Sequence, residues 1–450
     1  MSNKFELNKD FVEELLILIE KKDEKLIVNK LKGIHAADIA DIIEILEHEK
    51  ANFLFDIIDN PKSADIIVEL DDDSRESILK SLSPKKIANK FIKNLESDNA
   101  ADVISELSDD KKEEVLYHLN NKEKVSDINE LLNYNENSAG SLMAIELIKV
   151  NKNWSTVECV REMRKQASNI KNIHTIYVTD DNNKLCGLLS LKKLLVTEKS
   201  TIIKSIINTN FIAVKTDDDN EYVANLMNKY NLVVVPVVDN NNILVGRITI
   251  DDILSYVKEE AEKDFQIASG ISEDIELNDS LLNITRARLP WLIIGLIGGL
   301  FGAKVIGVFD LKSNYELAFF IPLIAAMAGN VGVQSAAIIV QSIANNSIKS
   351  DDTFSRLFKE FRVGILNGLI CSIIIFGLTF VFGYGHNICI TVSISLFSVI
   401  LFAALFGTLT PLILNKYKID PALATGPFIT TFNDIIGLII YFSIGQTLLS

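Results

Sequence analysis

The hydrophobic pattern changes period twice along the chain. From residue 289 onward apolar residues run together in five blocks, 289–309, 317–344, 363–385, 388–414 and 421–449. A bilayer core takes ~20 apolar residues per helix. Lipid offers no partner to a free backbone N–H or C=O, so the blocks predict five membrane-spanning helices. Residues 1–130 read differently. Apolar positions fall at helical spacing, as in Phe11, Val12, Leu15, Leu16, Leu18 and Ile19, and polar turns interrupt them. A unit recurs there: Ala40-Asp41-Ile42-Ile43 returns as Ala64-Asp65-Ile66-Ile67 and again as Ala101-Asp102-Val103-Ile104, with Pro61 and Pro84 falling in between. Such repetition predicts stacked short helices forming an all-α superhelix.

A third pattern covers residues 138–257. Val178-Thr179-Asp180 through Gly187-Leu188-Leu189-Ser190-Leu191-Lys192-Lys193-Leu194 returns 59 residues later as Val237-Val238-Asp239 through Gly246-Arg247-Ile248-Thr249-Ile250-Asp251-Asp252-Ile253. Each copy reads as strand, polar turn, strand and helix, with a further helix before it, at 156–166 and 220–231. This tandem α/β unit resembles a pair of CBS domains. The resemblance implies an adenine nucleotide such as ATP as a candidate ligand, held by a small hydroxyl followed three residues later by Asp. Thr249 and Asp252 supply that pair in the second copy, whereas the first has Ser190 followed by Lys193. A purely mechanical module is the other reading. The order expected is a helical repeat domain (1–130), two CBS copies (131–199 and 200–257), a charged amphipathic connecting helix (258–285) and a five-helix transmembrane domain (286–450).

Charge is segregated along the same lines. Residues 286–450 hold seven acids and ten Lys or Arg, which leaves residues 1–285 at −18 within a total of −15. An acidic surface argues against nucleic acid as a partner and suits cations. Four cysteines without C-x-x-C spacing imply neither a disulfide framework nor a zinc site. The opening MSNKFELNKD has no apolar stretch of a signal peptide. Among the loops, Arg286, Arg288, Lys349, Arg356, Lys359, Arg362, Lys416 and Lys418 lie on one side of the spans and Lys304 and Lys312 on the other. The bias places the N-terminus in the cytoplasm and the C-terminus outside. Five helices are few for a walled pathway, so a homodimer with a shared pore is expected.

Charge within a span is costly, ~2.5–3.5 kcal/mol for Asp at a helix centre, and usually functional. Asp434 is the one acid deep in a block, and Thr430, Thr431 and Asn433 add oxygen donors nearby. Gly426, Pro427 and Gly437 suggest a locally broken helix that frees carbonyls. The second block carries Pro322 and then Gly329-Asn330-Val331-Gly332-Val333-Gln334-Ser335, a polar wall in an apolar helix. Oxygen donors without Cys or His are hard-cation chemistry, and Mg²⁺ binds one or two carboxylates while keeping several waters. No H-E-x-x-H, Walker or G-x-S-x-G constellation points to an enzyme.

The whole layout resembles the MgtE family of magnesium channels. The resemblance rests on the order of domains and on Arg288-Leu289-Pro290-Trp291-Leu292, Gly329-Asn330-Val331-Gly332-Val333-Gln334, and Asp420-Pro421-Ala422 through Pro427 and Asp434. It implies a homodimeric Mg²⁺ channel of the bacterial plasma membrane, with Asp434, Asn330, Thr430 and Gly437 along the pore. The connecting helix would be a plug. It further implies Mg²⁺ sensing by Asp98 and Asp102 facing Asp252, by Asp219 and Glu221, by Glu260 and Asp264 on the plug, and by Asp420. Asn231, Ser255 and Lys263 stand where the family often has acids. Two carboxylates ~4 Å apart repel by roughly 4 kcal/mol at an effective dielectric of 20, so bound Mg²⁺ would hold the acidic modules together and close the channel. A secondary transporter exchanging a divalent cation for Na⁺ or H⁺ is the alternative.

Overall fold

The short helices of the N-terminal part start where capping residues stand. Asp23, Asp59, Asp71 and Asn121 each accept backbone N–H groups at a helix N-terminus, and Pro61 and Pro84 sit in first turns, where a missing N–H does no harm. The computed structural model describes residues 9–167, 170–273, 275, 279–309, 315–344, 353–424 and 426–449. The first eight residues, Lys312 and Lys349 lie outside them. The chain divides into two compact units, 1–258 and 259–450.

The first unit opens with ten helices: α1 Lys9–Glu20, α2 Glu24–Leu31, α3 Ala36–Glu44, α4 His48–Ile57, α5 Asn60–Glu69, α6 Asp72–Ser81, α7 Pro84–Lys90, α8 Ser97–Ser105, α9 Asp109–Tyr117 and α10 Lys122–Leu131. The array carries a device that the hydrophobic pattern does not reveal. Lys62 on α5 donates to the Leu31 carbonyl at the end of α2, 31 residues back (2.8 Å). Lys90 on α7 reaches the Ile58 carbonyl that closes α4, 32 residues back (2.9 Å). Lys111 on α9 reaches Leu79 in the last turn of α6, again 32 back (2.7 Å), and Lys124 on α10 reaches Leu95. Each ammonium thus satisfies carbonyls orphaned at a helix C-terminus, where the helix dipole favours a cation.

Two three-stranded sheets follow, after a short helix α11 (Ala139–Leu142). The first runs β1 (Lys149–Asn151), β2 (Ile176–Thr179), β3 (Leu185–Leu189), with α12 (Thr156–Gln166) and α13 (Leu191–Val196). The second runs β4 (Val214–Lys215), β5 (Val234–Val238), β6 (Leu244–Thr249), with α14 (Asn220–Tyr230) and α15 (Ile250–Ala268). In both, the first pair is parallel and the second antiparallel. The copies are cross-braced. Ala144 exchanges both backbone hydrogen bonds with Arg247 on β6, and Asn208 does the same with Leu188 on β3. The repeated Gly187 and Gly246 mark these crossings: a Cβ there would press on the Asn208 and Ala144 carbonyls, at 2.9 Å in each case. One apolar core joins the helical array to the second copy through Val214, Val235, Val237, Ile248 and Ile253, while the first copy has its own core.

Among the described residues the second unit holds five helices long and apolar enough to cross a bilayer: α16 Leu281–Val308, α17 Ile321–Ala344 (preceded by a 3₁₀ turn, Tyr315–Phe320), α18 Thr353–Val381, α19 His386–Lys416 and α20 Pro427–Leu449. Helix α19 is the buried centre, packed on α17, α18 and α20, and α16 packs on α20. Two boundaries differ from the sequence expectation. The stretch 258–285 is no helix of its own: α15 runs on from the second CBS copy and stops at Ala268. Gly270, at φ +82°, ends it, with Gly270 N–H donating to Ile267 and Ile271 N–H to Gln266, both 3.0 Å. The fifth helix is unbroken from Pro427, because the break falls before it at Gly426 (φ +55°) and Gly437 stays helical.

The lysine ladder predicts that Lys90→Met, which leaves the Ile58 carbonyl with only the long 3.4 Å hydrogen bond from the Ser63 hydroxyl, destabilises the array by about 1–3 kcal/mol. Hydrogen exchange of α4 in the full chain should quicken accordingly. Lys112→Met, at an exposed pair with Asp109, should leave it unchanged.

Candidate functional site

Small residues on α17 receive α20 side chain by side chain. A Cβ on Gly329 would lie 3.3 Å from Thr430 Cγ2 and 3.6 Å from Asp434 Oδ1, so Thr430 and Asp434 share one face against Gly329. Asp434 is half-buried, about 10 Å along α20 from its first residue at 1.5 Å per residue. The Thr430 hydroxyl donates within its own helix, to Gly426 or Pro427 (3.1 Å each), and keeps acceptor capacity toward the same face. The other expected donors turn elsewhere. Thr431 fills the place of a Cβ on Gly298 of α16, and Asn433 fills that of Gly332. Gly437 is a packing residue, 3.2 Å (as a Cβ) from Ala328 and 3.4 Å from Val399. Asn330 lies on an exposed face of α17 that it shares with Gln334 and Gln341, which recur at helical spacing.

The end of the connecting helix is seated on the start of α20. The Ala268 carbonyl occupies the space of a Cβ on Gly426, and a Cβ on Gly270 would lie 2.6 Å from Pro427 Cγ and 3.7 Å from Trp291 Cβ. Gln266 pins the chain that follows with paired 3.0 Å hydrogen bonds to the Ile275 backbone. Asp264 sits here half-buried. Burial, then the charges of Asp420 and Glu260, push its pKa up, and Lys263 opposes them. Asp420 Oδ1 meanwhile accepts from Ala422 N–H at 2.8 Å.

In the first unit a cleft of about 560 Å³ lies between the helical array and the second CBS copy. Six carboxylates line it (Asp65, Glu69, Glu96, Asp98, Asp251, Asp252) against three cations, Lys62, Lys171 and Arg247. Two of the cations are spent: Arg247 pairs with Glu96 at 3.0 Å and Lys171 with Asp65 at 2.5 Å. Asp98 is only 6 % exposed. Burial, then the charge of Asp252, raise its pKa to about 8, against a 2.7 Å hydrogen bond from Asn99 N–H that favours the anion. Burial also raises Asp252, while Thr249 lowers it. Thr249 holds Asp252 Oδ2 through both its N–H (3.0 Å) and its hydroxyl (2.5 Å). The hydroxyl-to-Asp spacing is therefore also a cap on the first turn of α15. Ser190 accepts from Lys193 N–H in the equivalent place, at 3.3 Å.

Other expected sensor acids fall apart from this cleft. Asp102 is exposed and raises the pKa of Arg75 together with Glu106 and Asp72. Asp219 caps α14, accepting from Glu221 N–H (2.9 Å) and Tyr222 N–H (3.4 Å), and Glu221 is exposed in the first turn. Among the described residues no three His, Cys, Asp or Glu side chains converge closely enough to hold a bare metal ion.

The pKa of Asp98 gives a signed prediction. The folded state holds a proton that the unfolded chain has released above its ordinary pKa near 4, so this contribution to stability is present at low pH and fades as pH rises through about 8. In chelator, exchange of α8 amides in the full chain, after division by the intrinsic rate at each pH, should accelerate by up to about tenfold per pH unit across that window. Asp98→Asn should flatten the slope; an unchanged slope in the variant would remove Asp98 as its source.

Known proteins resemble the chain domain by domain. Residues 321–444 match the MgtE family, described as divalent cation transporter. Residues 34–137 match the MgtE intracellular N domain, and 139–197 and 203–259 match CBS domains. The chain is 34 % identical over 316 residues to the magnesium transporter MgtE of Bacillus subtilis, covering 70 % of each. It is 33 % identical over 329 residues to that of Thermus thermophilus, covering 72 % of this chain and 73 % of the other. Among solved structures it is similar to the cytosolic domain of the Mg²⁺ channel MgtE in complex with ATP, with TM-score 0.52, 29 % identity, and coverage of 54 % of this chain and 99 % of that one. The chain is a membrane protein with a helical N-terminal domain, a CBS pair and five spans, and it belongs to the MgtE family of divalent cation transporters.

Proposed function

We propose that the protein is a Mg²⁺ channel that admits magnesium to the cell and is closed by Mg²⁺ on its cytoplasmic side. The observation that carries this reading is Asp98, a buried carboxyl facing Asp252 across the cleft, with two of the three nearby cations paired to other acids and Lys62 turned to the Leu31 carbonyl. The arrangement fits a divalent cation. Its donors are oxygens, and both the burial that chiefly raises Asp98 and the charge of Asp252 that adds to it disfavour a bare carboxylate, which a bound cation would stabilise. Mg²⁺ bound there replaces the proton of Asp98 and ties the helical array to the second CBS copy. Closure then follows from binding the compact state better than the splayed one. Asp264 with Asp420 and Glu260 forms a second acid group of the same kind, at the seat of α15 on Gly426 and Pro427. Asp219 and Glu221 are the remaining sensor candidates.

The permeating ion is the substrate. Asp434 is the selectivity carboxylate, with Thr430 beside it, and the exposed polar row Asn330, Gln334, Gln341 lines the water path. A polar row on the outside of one chain's bundle calls for a covering surface in lipid, which supports a homodimer with the pore between two copies. Arg286, Arg288, Arg356, Lys359, Arg362, Lys416 and Lys418 support an N-terminal part in the cytoplasm and a C-terminus outside. ATP is a modulator on this reading. Docked at Thr249 and Asp252, it would compete with Mg²⁺ for a carboxylate that already accepts two hydrogen bonds.

Mutants separate the pore from the sensor. Asp434→Ala should abolish Mg²⁺ influx into liposomes while the Asp98 pH dependence of the first unit persists. Asp252→Ala should conduct, and the Mg²⁺ needed for half-closure should rise about tenfold, equivalent to ~1.4 kcal/mol of lost binding. Silence of Asp252→Ala at every Mg²⁺ level would defeat the sensor assignment.

A further inference from the structure

Asn433 stands next to Asp434 yet faces elsewhere, and its surroundings are unusual. Its side chain is fully buried (0 % exposed), and among the described residues neither its Oδ1 nor its Nδ2 has a hydrogen-bond partner. A buried, unmet amide is rare and unfavourable, and most of all where lipid surrounds the bundle. The place it occupies is tightly shaped. The amide fills the space where a Cβ of Gly332 would stand, with Ile429 beside it at 2.7 Å from that position. On α19, a Cβ on Gly407 would collide with the Gly332 carbonyl and Cα. Gly332 is thus held between the Asn433 amide of α20 and the backbone of α19, and three helices meet at this one residue.

We propose that Asn433 is a positioning residue for permeation: lodged in the Gly332 notch, it fixes the rotation of α20 and so the direction in which Asp434 presents its carboxylate. Neighbouring residues on an α-helix point ~100° apart. With Asn433 locked at the three-helix junction, Asp434 and Thr430 are held on Gly329, three residues earlier on α17. A smaller side chain at 433 frees α20 to rotate and Asp434 to take several positions. Selectivity, which depends on one well-placed carboxylate, suffers before conduction does. The inference rests on Asp434 being the selectivity carboxylate.

The test uses the purified full chain in liposomes, with Mg²⁺ and Co²⁺ fluxes measured separately for Asn433→Ala, Gly332→Ala, the double variant and Asp434→Ala. Asn433→Ala should keep Mg²⁺ flux within about threefold of wild type but shift the Mg²⁺-to-Co²⁺ flux ratio by about fivefold or more, since pore discrimination rests on ligand placement. Gly332→Ala, whose added methyl overlaps the amide, should lose about tenfold or more of its flux, of the order expected when a helix contact is displaced. The double variant should recover flux to the level of Asn433→Ala, which a general packing defect would not do. A wild-type flux ratio in Asn433→Ala, or no recovery in the double variant, overturns the positioning role. Normal flux in Asp434→Ala overturns the pore reading beneath it, and the two failures are told apart by that variant alone.

Discussion

Negative charge that the protein does not neutralise itself is the constraint on which the rest depends. Many acids in the first unit are matched: Arg75 serves Glu106 and Asp72, Arg247 serves Glu96, and Lys171 serves Asp65. Four lysines of the helical array, Lys62, Lys90, Lys111 and Lys124, are committed to helix ends instead. Among the described acids without a close cation, the buried or half-buried ones stand apart: Asp98 with Asp252 in the cleft, and Asp264 beside Asp420 at the end of α15, where Glu260 pairs with Lys263 at 3.9 Å. Burial raises the stake, because charge separated from water and from counter-ions is carried at several times its cost at the surface. Buried acids of this kind are the ones whose charge a bound cation would relieve most.

The scaffold around these groups is correspondingly over-determined. The two CBS copies brace one another through Ala144 on β6 and Asn208 on β3, and the array shares its core with the second copy alone. Asp252 lies in the first turn of α15, and the end of that helix rests backbone to backbone on Gly426, just before the helix that carries Asp434. Glycines at 270, 298, 329, 332, 407 and 426 stand where another chain segment comes close. At all of them but Gly329, where a Cβ would fit at 3.3 Å, the neighbour comes closer than a Cβ allows, so helix directions in the second unit are set by contacts a few ångströms wide.

Much of this was legible in the sequence. Apolar blocks give helices because lipid admits nothing else, and the 59-residue repeat gives the paired α/β units because both copies obey the same strand and cap rules. Asp434 stood out by its cost, and Asp98 and Asp252 by resemblance. The remainder depends on orientation, which linear order does not carry. Thr431 and Asn433 are polar neighbours of Asp434 in sequence, yet each turns to a glycine on a different helix. Gly437 suggested a break and proved to be a packing surface. Asp102 shares a helix with Asp98, but helical geometry leaves it exposed beside Arg75. The lysine ladder spans about 30 residues per rung, beyond the reach of any local pattern. The one signal for it is that lysines recur in successive helices whose polar faces should be free.

The central claim is that Mg²⁺ binding at unmatched points in the protein's own charge closes the path that Mg²⁺ travels. Its most direct test is Mg²⁺ influx into liposomes carrying the purified wild-type chain, without Na⁺ or H⁺ gradients, as Mg²⁺ is raised on the face bearing the N-terminal unit. A channel closed by its own ion gives influx driven by the Mg²⁺ gradient alone, which falls to baseline as Mg²⁺ on that face rises. Influx that requires a Na⁺ or H⁺ gradient, or that is indifferent to Mg²⁺ on that face, would contradict it.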